Sequence, residues 1–271
     1  MIRLIVSDLD ETLIRKDRTI HPDCVEAIKK LKEKNILFVP ATGRGYRTVE
    51  DTLRELDLFE QEGQYVMSYN GGAITENKGN RMLFFHAMDD DLTQILFERG
   101  ISQYHVAVRV YVKEAVYVFN ITDEERAFAT GRGKVIECDV NDLALLGGQP
   151  IVKIVYVNKD FAYLKKIEAD LCDLHDRLDI SYSSGRYMEF NPKGINKGEG
   201  MRKLAELLGI DMSETMAIGD NFNDLPMICA AAVGVGVANS IEGILPYCDH
   251  ITEKTCEEGA VAEAIRRFCD L

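Results

Sequence analysis

The stretch IRLIVSDLDETL, residues 2–13, decides the fold of this chain. It opens with a short, mostly apolar run, and that run ends at the acidic residue Asp8. Strands of a parallel sheet covered by helices on both faces have this apolar character along their whole length. A helical pattern follows at residues 22–34, with apolar residues three positions apart. The sequence therefore begins with the strand–helix alternation of an α/β protein.

The same alternation surrounds a long interruption in the middle of the chain. Strand-like runs occur before it at 36–42 and 65–70, and after Gly194 at 215–220 and 233–237. Helical segments connect these runs and close the chain, at 46–57, 197–208, 222–230 and 258–269. Strands alternating with helices predict a doubly wound, mainly parallel sheet of the Rossmann-like α/β class.

The interruption has a different pattern. Longer strand-like runs occur at 105–112, 115–121 and 150–157. Helical segments are predicted at 89–100, 123–130 and 160–176. This order predicts a separate α+β unit with an antiparallel sheet. We therefore expect an α/β core formed by residues 1–82 and 191–271, and an inserted α+β domain formed by residues 83–190.

The charge balance limits the partners of the chain. It has 32 basic and 45 acidic residues, a formal net charge of −13, whereas binding to a nucleic-acid backbone needs a basic surface. A small anionic substrate stays compatible with this charge, because a bound metal can supply positive charge locally. We expect no nucleic-acid partner, and a monomer or a weak homo-oligomer.

The location of the protein is predicted from what the sequence lacks. No stretch approaches 18 uninterrupted apolar residues, so we expect no membrane span. The N-terminus lacks the basic region and apolar stretch of a signal peptide. The seven cysteines include no C-x-x-C pair, which argues against a disulfide framework or a zinc site. These observations favour a cytoplasmic protein with reduced thiols.

Four polar residues stand at the ends of predicted strands. They are Asp8, Thr42, Asn70 and Asp220. In open α/β sheets, ligands bind beyond the carboxyl ends of the strands. We therefore expect these four residues, which are far apart in sequence, to meet at one edge of the sheet.

Two of these strand ends carry paired acidic residues. Asp8 and Asp10 are separated by one residue, and a carboxylate can attack phosphorus while a neighbouring acid transfers the proton. The segment GDNFND, residues 219–224, offers more oxygen ligands for a hard cation such as magnesium. Taken singly, each segment is also compatible with a solvated loop or turn, which Gly, Asn and Asp favour on conformational grounds.

Two further elements are suited to phosphate. The segment Thr42-Gly43-Arg44 stands where a strand ends and a helix begins, so its hydroxyl and amide groups can hold an anion. Lys197 opens a predicted helix, where its charge opposes the helix dipole unless an anion lies nearby. Taken singly, Thr42 is also compatible with a helix cap and Lys197 with an exposed surface position.

The four motifs together resemble the haloacid dehalogenase superfamily. D-x-D-x-T-L begins at Asp8, T-G-R at Thr42, a lysine follows at 197, and G-D-x-x-N-D begins at Gly219. Only 33 residues separate Asp8 from Thr42, so the insertion lies between T-G-R and Lys197. That placement is similar to the Cof-type phosphatases, whose α/β cap of class IIB closes over the site and contributes substrate contacts.

The resemblance implies a magnesium-dependent phosphatase acting on small phosphorylated metabolites, with sugar phosphates the leading class. Asp8 would be the nucleophile and a metal ligand. Asp10 would be the general acid and base, and its backbone carbonyl would also bind the metal. Asp220 would complete the protein ligands of the magnesium ion.

The remaining matching positions would support the phosphate and the metal. Asn221 and Asp224 would hold the metal's ligands in place. The phosphate oxygens would be bound by the amides of Leu9 and Gly43, together with Thr42, Lys197 and Asn223. Arg44 and Asn70 would line the approach to the site.

Within the insertion, the segment SSGRYME, residues 183–189, is the candidate for substrate selection. Arg186 and Glu189 could bond hydroxyl groups or a second anion, although an ordinary hairpin turn is the competing interpretation. Two other functions stay open for the whole chain. One is a phosphomannomutase-like phosphotransferase, which shares the insertion point, and the other is a catalytically silent binding protein on the same fold.

Overall fold

The computed structural model describes residues 1–129 and 135–270, which divide into two compact units. The first contains Met1–Phe85 and Asn196–Leu271, and the second contains His86–Ile195. The boundaries expected from the sequence, after residues 82 and 190, lie a few residues before the observed ones, which follow residues 85 and 195. No helix in the described part of the chain is long and apolar enough to cross a membrane.

The elements are numbered in chain order. The strands are β1 (Leu4–Asp8), β2 (Leu37–Ala41), β3 (Tyr65–Ser68), β4 (Ala73–Glu76), β5 (Arg81–Phe85), β6 (Ala107–Val112), β7 (Val116–Phe119), β8 (Ile136–Cys138), β9 (Ile151–Val157), β10 (Leu178–Ser183), β11 (Tyr187–Pro192), β12 (Thr215–Gly219), β13 (Val233–Gly236) and β14 (His250–Ile251). The α-helices are α1 (Pro22–Leu31), α2 (Glu50–Glu55), α3 (Asp90–Glu98), α4 (Asp123–Ala129), α5 (Phe161–Asp170), α6 (Lys197–Leu208), α7 (Leu225–Ala230) and α8 (Ala260–Phe268).

The first unit is built on one large sheet. Its described residues form eight strands in the order β14-β13-β12-β1-β2-β3-β4-β5. The strands from β14 to β3 run parallel, and β1 lies between β12 and β2. Every residue of β1 is buried, as its apolar sequence predicts for a central parallel strand. The predicted doubly wound α/β core is therefore confirmed.

The far edge of this sheet contains a hairpin that the sequence pattern missed. Strands β3, β4 and β5 pair antiparallel, and β5 ends at Phe85. A register shift occurs between Ile74 and Thr75, so the alternation of side chains along β4 is broken. The hairpin explains why the first unit extends past residue 82.

One face of the sheet packs on α6 and α7. Leu4 and Val6 from β1 lie in the same buried apolar cluster as Met201 and Leu204 of α6 and Met227 of α7. This packing fixes both helices against the strands that carry the motifs. It therefore determines where the first residue of α6, Lys197, is placed.

The second unit is an α+β unit, as predicted. Its described strands form one sheet in the order β10-β11-β9-β6-β7-β8, antiparallel except between β7 and β8. Helices α3 and α5 contribute apolar residues to the cluster on one face. Residues that pair directly across an antiparallel sheet share a face. Arg109 and Glu189 each pair with Val155, so all three lie on the other face of this sheet.

Three predicted helices differ from those observed. The predicted helix 46–57 consists of a 3-10 segment, Tyr46–Val49, followed by the short α2. The predicted helix 160–176 ends earlier, at Asp170, and a separate 3-10 turn follows. The helix predicted from residue 222 starts only at Leu225, because residues 221–224 form a tight turn. Residue 130, the end of the predicted helix 123–130, lies outside the described residues.

Candidate active site

The carboxyl ends of the central strands bring three acidic side chains together. Ser7 of β1 pairs with Ile218 of β12 in parallel register, so Asp8 and Asp220 follow neighbouring strands at the same edge. The carboxylates of Asp8, Asp220 and Asp224 lie within 4.8 Å of one another, and all three residues are buried. The strand-end rule thus joins two motifs that are more than 200 residues apart.

A buried lysine bridges two of these carboxylates. The ammonium group of Lys197 donates hydrogen bonds to Asp8 and to Asp224, the second at 2.5 Å. Lys197 has no solvent-exposed surface. A buried charge needs such partners, because removing an ammonium group from water is costly unless it is paired. The surface position that the sequence left open for Lys197 is therefore wrong.

The local sequence explains why Lys197 points into the cluster. Helix α6 begins at Lys197, and the side chain of Asn196 caps it by accepting a hydrogen bond of 3.0 Å from the amide of Glu199. An asparagine in this position satisfies one of the free N–H groups of the first turn. The cap fixes the first residue of the helix at the edge of the sheet.

Asp224 holds two parts of the site at once. One carboxylate oxygen accepts the hydrogen bond from Lys197, and the other accepts from the backbone amides of Asp220 and Asn221 at 2.9 and 3.0 Å. Both oxygens are therefore occupied by protein donors. This arrangement is suited to positioning Lys197 and the turn that carries Asp220.

Thr12 belongs to the site, and no role was predicted for it from the sequence. Its hydroxyl donates a hydrogen bond of 2.8 Å to the carboxylate of Asp220, and the residue is buried. The chain turns back after β1, where the amides of Leu13 and Ile14 both donate to the carbonyl of Leu9. The threonine of the D-x-D-x-T pattern was the available signal for this contact.

The electrostatics of the cluster favour bound positive charge. Burial and the negative charge of Asp224 raise the pKa of Asp220 to about 9. The same two causes raise the pKa of Asp8 to about 7, although Lys197 acts in the opposite direction. Burial alone would lower the pKa of Lys197, but the carboxylates of Asp224 and Asp8 raise it above its ordinary value. The acids are destabilised in their charged form, and the lysine is stabilised in its charged form.

These residues fit a divalent metal ion. The cluster has three carboxylates against one ammonium group, so its fully ionised form carries two uncompensated negative charges. Its donors are oxygen atoms, which are the ligands preferred by hard cations. Asp8 and Asp220 are the carboxylates suited to hold the ion, because both oxygens of the Asp224 carboxylate already accept hydrogen bonds from the protein.

Asp10 stands apart from the acidic cluster. Its side chain is 63% exposed, and its carboxylate lies 3.2 Å from the Nε atom of Arg44. Asp10 follows the end of β1, and Arg44 follows the end of β2, so the two neighbouring strands bring them together. This ion pair joins the first motif to the second at the edge of the site.

The residues expected to hold phosphate lie around the same strand ends. The Thr42 hydroxyl accepts a hydrogen bond of 3.1 Å from the amide of Arg44, and the amide of Asn70 donates to the carbonyl of Thr42 at 3.0 Å. Thr42 and Asn70 are buried, and Gly43 is half-buried. Asn223 is half-buried within the turn that begins at Asp220. In the bond from Arg44 the Thr42 hydroxyl is only an acceptor, so within the described residues its hydrogen can be donated to a ligand.

Arg186 and Glu189 lie in ion pairs of the second unit. Arg186 contacts the carboxylates of Glu124 and Glu125 at 3.2 and 3.3 Å and lies over the ring of Phe128. Their segment is a β-hairpin, in which Ser183 pairs with Tyr187. The ordinary hairpin that the sequence left open is therefore present.

Sequence reasoning missed the partners of Glu189. Its carboxylate accepts hydrogen bonds from Lys153 and Ser183, each at 2.5 Å. Lys153 is buried on β9 and also lies over the ring of Tyr111. A lysine in an otherwise apolar strand, PIVKIVYV, was the signal that could have identified it.

Comparison with known proteins places the chain in a family. The sequence profile of the haloacid dehalogenase-like hydrolases matches residues 5–265. The chain is similar to 5-amino-6-(5-phospho-D-ribitylamino)uracil phosphatase YcsE of Bacillus subtilis, with 27% identity over 270 residues. That match covers 98% of this chain and 96% of the relative.

Solved structures agree with this assignment. A haloacid dehalogenase-like hydrolase from Bacteroides thetaiotaomicron matches with a TM-score of 0.83 and 30% identity. The match covers 98% of this chain and 99% of the Bacteroides chain. The subclass IIB sugar phosphatase BT4131 matches with a TM-score of 0.86, and the match covers 99% of this chain and all of the BT4131 chain. The two sequences are 17% identical, so this likeness concerns the fold. The resemblance seen in the four motifs is confirmed: the chain belongs to the haloacid dehalogenase-like hydrolase family and is a phosphatase within it.

Proposed function

We propose that this phosphatase is magnesium-dependent and cleaves phosphate from a small phosphorylated metabolite through a phosphoaspartate at Asp8. The observation that carries the proposal is the buried cluster of Asp8, Asp220 and Asp224 around Lys197. A nucleophilic carboxylate and a phosphate are both anionic, so their approach requires nearby positive charge. Lys197 supplies part of it, and a magnesium ion held by Asp8, Asp220 and the carbonyl of Asp10 would supply the rest and polarise the phosphoryl group.

In the first step, a carboxylate oxygen of Asp8 attacks phosphorus, and the bond between phosphorus and the leaving oxygen breaks. Asp10 gives its proton to that oxygen, so the alcohol departs neutral. The products are a phosphoaspartate at residue 8 and an ionised Asp10. The exposed position of Asp10 supports this role, because its side chain is free to turn away from Arg44 toward the leaving group.

In the second step, Asp10 takes a proton from water as the water oxygen attacks phosphorus. The bond between phosphorus and the Asp8 oxygen breaks, which releases inorganic phosphate and restores both carboxyl groups. Lys197, the hydroxyl of Thr42, the amides of Leu9 and Gly43, and Asn223 are proposed to hold the phosphoryl oxygens in both steps.

We propose sugar phosphates and related phosphorylated polyols as the substrate class. Two relatives support this choice: BT4131 is named as a sugar phosphatase, and the substrate name of YcsE contains a phosphorylated ribityl chain. A sugar phosphate and a phosphorylated ribityl compound are both phosphate esters of a polyhydroxylated carbon chain. We propose that the second unit selects among such substrates, because the motifs of the first unit are suited only to the phosphate and the metal.

The test measures phosphate release from a panel of phosphorylated metabolites, with magnesium and after exhaustive chelation. We expect release that depends on magnesium, is strongest for sugar or polyol phosphates, and disappears in Asp8→Asn. Formation of an isomeric phosphate without free phosphate would support a phosphotransferase instead. No turnover of any compound with magnesium present would contradict the proposal and favour a binding role.

A further inference from the structure

The first turn of α6 contains two glycines on either side of Glu199, although glycine is among the poorest helix formers. Gly198 and Gly200 are both buried. Neither has a positive φ, so the backbone conformation does not explain them. Their neighbours give the explanation, because each faces another backbone segment at a distance that leaves no space for a side chain.

Gly198 faces the beginning of α7. A Cβ atom on residue 198 would lie 2.7 Å from the carbonyl carbon of Pro226 and closer still to its oxygen. These are helix backbone atoms, which cannot move aside as the end of a flexible side chain can. An alanine at 198 therefore requires α6 and α7 to separate.

Gly200 faces the turn that follows β3. A Cβ atom on residue 200 would lie 2.7 Å from the Cα atom of Gly71 and 2.5 Å from the sulfur of Met67. Gly71 itself has a φ of +93°, and a Cβ atom there would meet the carbonyl group of Asn196. The first turn of α6 is thus held between Gly71 on one side and Pro226 on the other.

This close packing occurs at the ion pair of the active site. Lys197 directly precedes Gly198, and Asp224 lies two residues before Pro226. The separation of the two helix backbones therefore sets the distance from the Lys197 ammonium to the Asp224 carboxylate, which is 2.5 Å. Lys197 also reaches Asp8, which ends β1, a strand that packs against the same helix α6.

We infer that Gly198 and Gly200 are positioning residues for catalysis, which hold the ammonium group of Lys197 between Asp8 and Asp224 by allowing this backbone contact. The inference rests on the proposed role of Lys197 in phosphate transfer. Relief of the contact at residue 198 requires a displacement on the order of 1 Å, and a displacement of that size can lower the rate about 10²-fold.

The experiment is a double-mutant cycle on the full chain with magnesium and 4-nitrophenyl phosphate. The variants are Gly198→Ala, Lys197→Met and the two combined, with Glu199→Ala as the matched control in the same helical turn. Glu199 is exposed, and its carboxylate pairs with the exposed Arg202 in the described part of the chain, so its removal leaves the helix backbone contacts intact. Thermal unfolding is measured for each variant.

We expect Gly198→Ala to lower kcat about 10²-fold with a smaller change in KM, and Glu199→Ala to stay within twofold of the parent protein. In the Lys197→Met background, Gly198→Ala should have little further effect, because its action passes through the lysine. Equal losses in both backgrounds, or no loss in the parent protein, would overturn the inference. A Lys197→Met variant as active as the parent protein would instead contradict the proposed function.

If the Gly198→Ala protein does not fold, the same double-mutant cycle is carried out with Gly200→Ala. There the closest atom is the flexible end of Met67, so Met67→Ala provides a partial relief of the contact. The same non-additivity with Lys197→Met is expected. If neither glycine variant folds, the glycines are required for folding rather than for positioning, and the inference is wrong.

Discussion

The hydroxyl of Thr12 donates a hydrogen bond to the carboxylate of Asp220 at 2.8 Å, across 208 residues of sequence. Asp220 is one of the two carboxylates best suited to hold a metal ion, and its position depends on this bond. Loss of a group that orients a metal ligand typically lowers metal affinity about 10–100-fold. The contact connects the turn after β1 to the turn after β12.

Replacing Thr12 by valine should weaken metal binding. The two side chains have similar shapes, but valine cannot donate a hydrogen bond to Asp220. We expect the magnesium concentration for half-maximal activity to rise about 10–100-fold, the usual effect of losing such a contact. Thr12→Ser keeps the hydroxyl and serves as the control, so a serine variant as impaired as the valine variant would contradict this explanation.

Replacing Asp8 by asparagine should abolish turnover while the fold stays intact. The amide has nearly the shape of the carboxylate but cannot attack phosphorus, and it removes one negative charge from the buried cluster. We expect no measurable phosphate release and a metal-free protein at least as resistant to heat as the parent. Asp51→Asn, at an exposed position in α2, is the control for loss of a carboxylate. More than a few per cent of parental kcat, in a preparation free of other phosphatases, would remove Asp8 from the nucleophile role.

The stability of the metal-free protein should fall as pH rises. The pKa of Asp8 is raised to about 7 and that of Asp220 to about 9, whereas unfolded carboxyl groups titrate near 4. Between about pH 4 and 9 the folded state therefore binds more protons than the unfolded state, so the free energy of unfolding decreases with pH. Lys197 does not alter this trend, because its raised pKa affects stability only above the ordinary lysine range.

Urea unfolding of chelated protein at several pH values measures this trend. Asp220→Asn should flatten it, because that variant removes the group with the higher pKa. Saturating magnesium should raise stability most at the alkaline end, by about 2.7 kcal/mol at a hundred times Kd. Parent and Asp220→Asn proteins with the same slope would show that the acidic cluster does not control it.

The sequence predicted the central strands and the meeting of their ends, because a buried parallel strand is apolar throughout and its end is followed by a polar residue. Contacts between side chains from distant segments leave no such periodic pattern. The pairing of Asp10 with Arg44 depends on which neighbouring strands lie side by side, and that of Glu189 with Lys153 on the register of β11 and β9. The late start of α7 has a similar origin, because Asp224 uses its carboxylate to form the preceding turn.

Replacing Asp10 by asparagine should slow both chemical steps. General acid and base assistance is typically worth about 10²–10⁴-fold, and the amide can provide neither. With 4-nitrophenyl phosphate the leaving group needs no proton, so the first step should be spared and the phosphoaspartate should accumulate. Rapid mixing should then show a burst of 4-nitrophenolate followed by slow turnover. A variant as active as the parent on alkyl phosphates would assign the proton transfer to another residue.

Glu189 pairs with Lys153 inside the second unit. Both side chains are almost fully buried, and their charged groups lie 2.5 Å apart. Removing one member of a buried pair leaves the other charge uncompensated, and this typically costs about 3–5 kcal/mol. Glu189→Ala should therefore lower stability strongly, and its effect on activity alone would not reveal a role in substrate selection. Replacing both residues together, as Lys153→Met with Glu189→Leu, removes both charges and should recover most of the lost stability.

The double variant then separates the two roles of this ion pair. We expect kcat/KM to fall much further on the best sugar or polyol phosphate than on 4-nitrophenyl phosphate, because only the former presents hydroxyl groups to a selecting surface. Arg186→Ala, which removes a different set of ion pairs in the same unit, is the comparison. If the double variant is stable and loses the same factor on both substrates, or none on either, the Lys153–Glu189 pair has a structural role alone. Substrate selection would then have to be sought among other residues of the second unit.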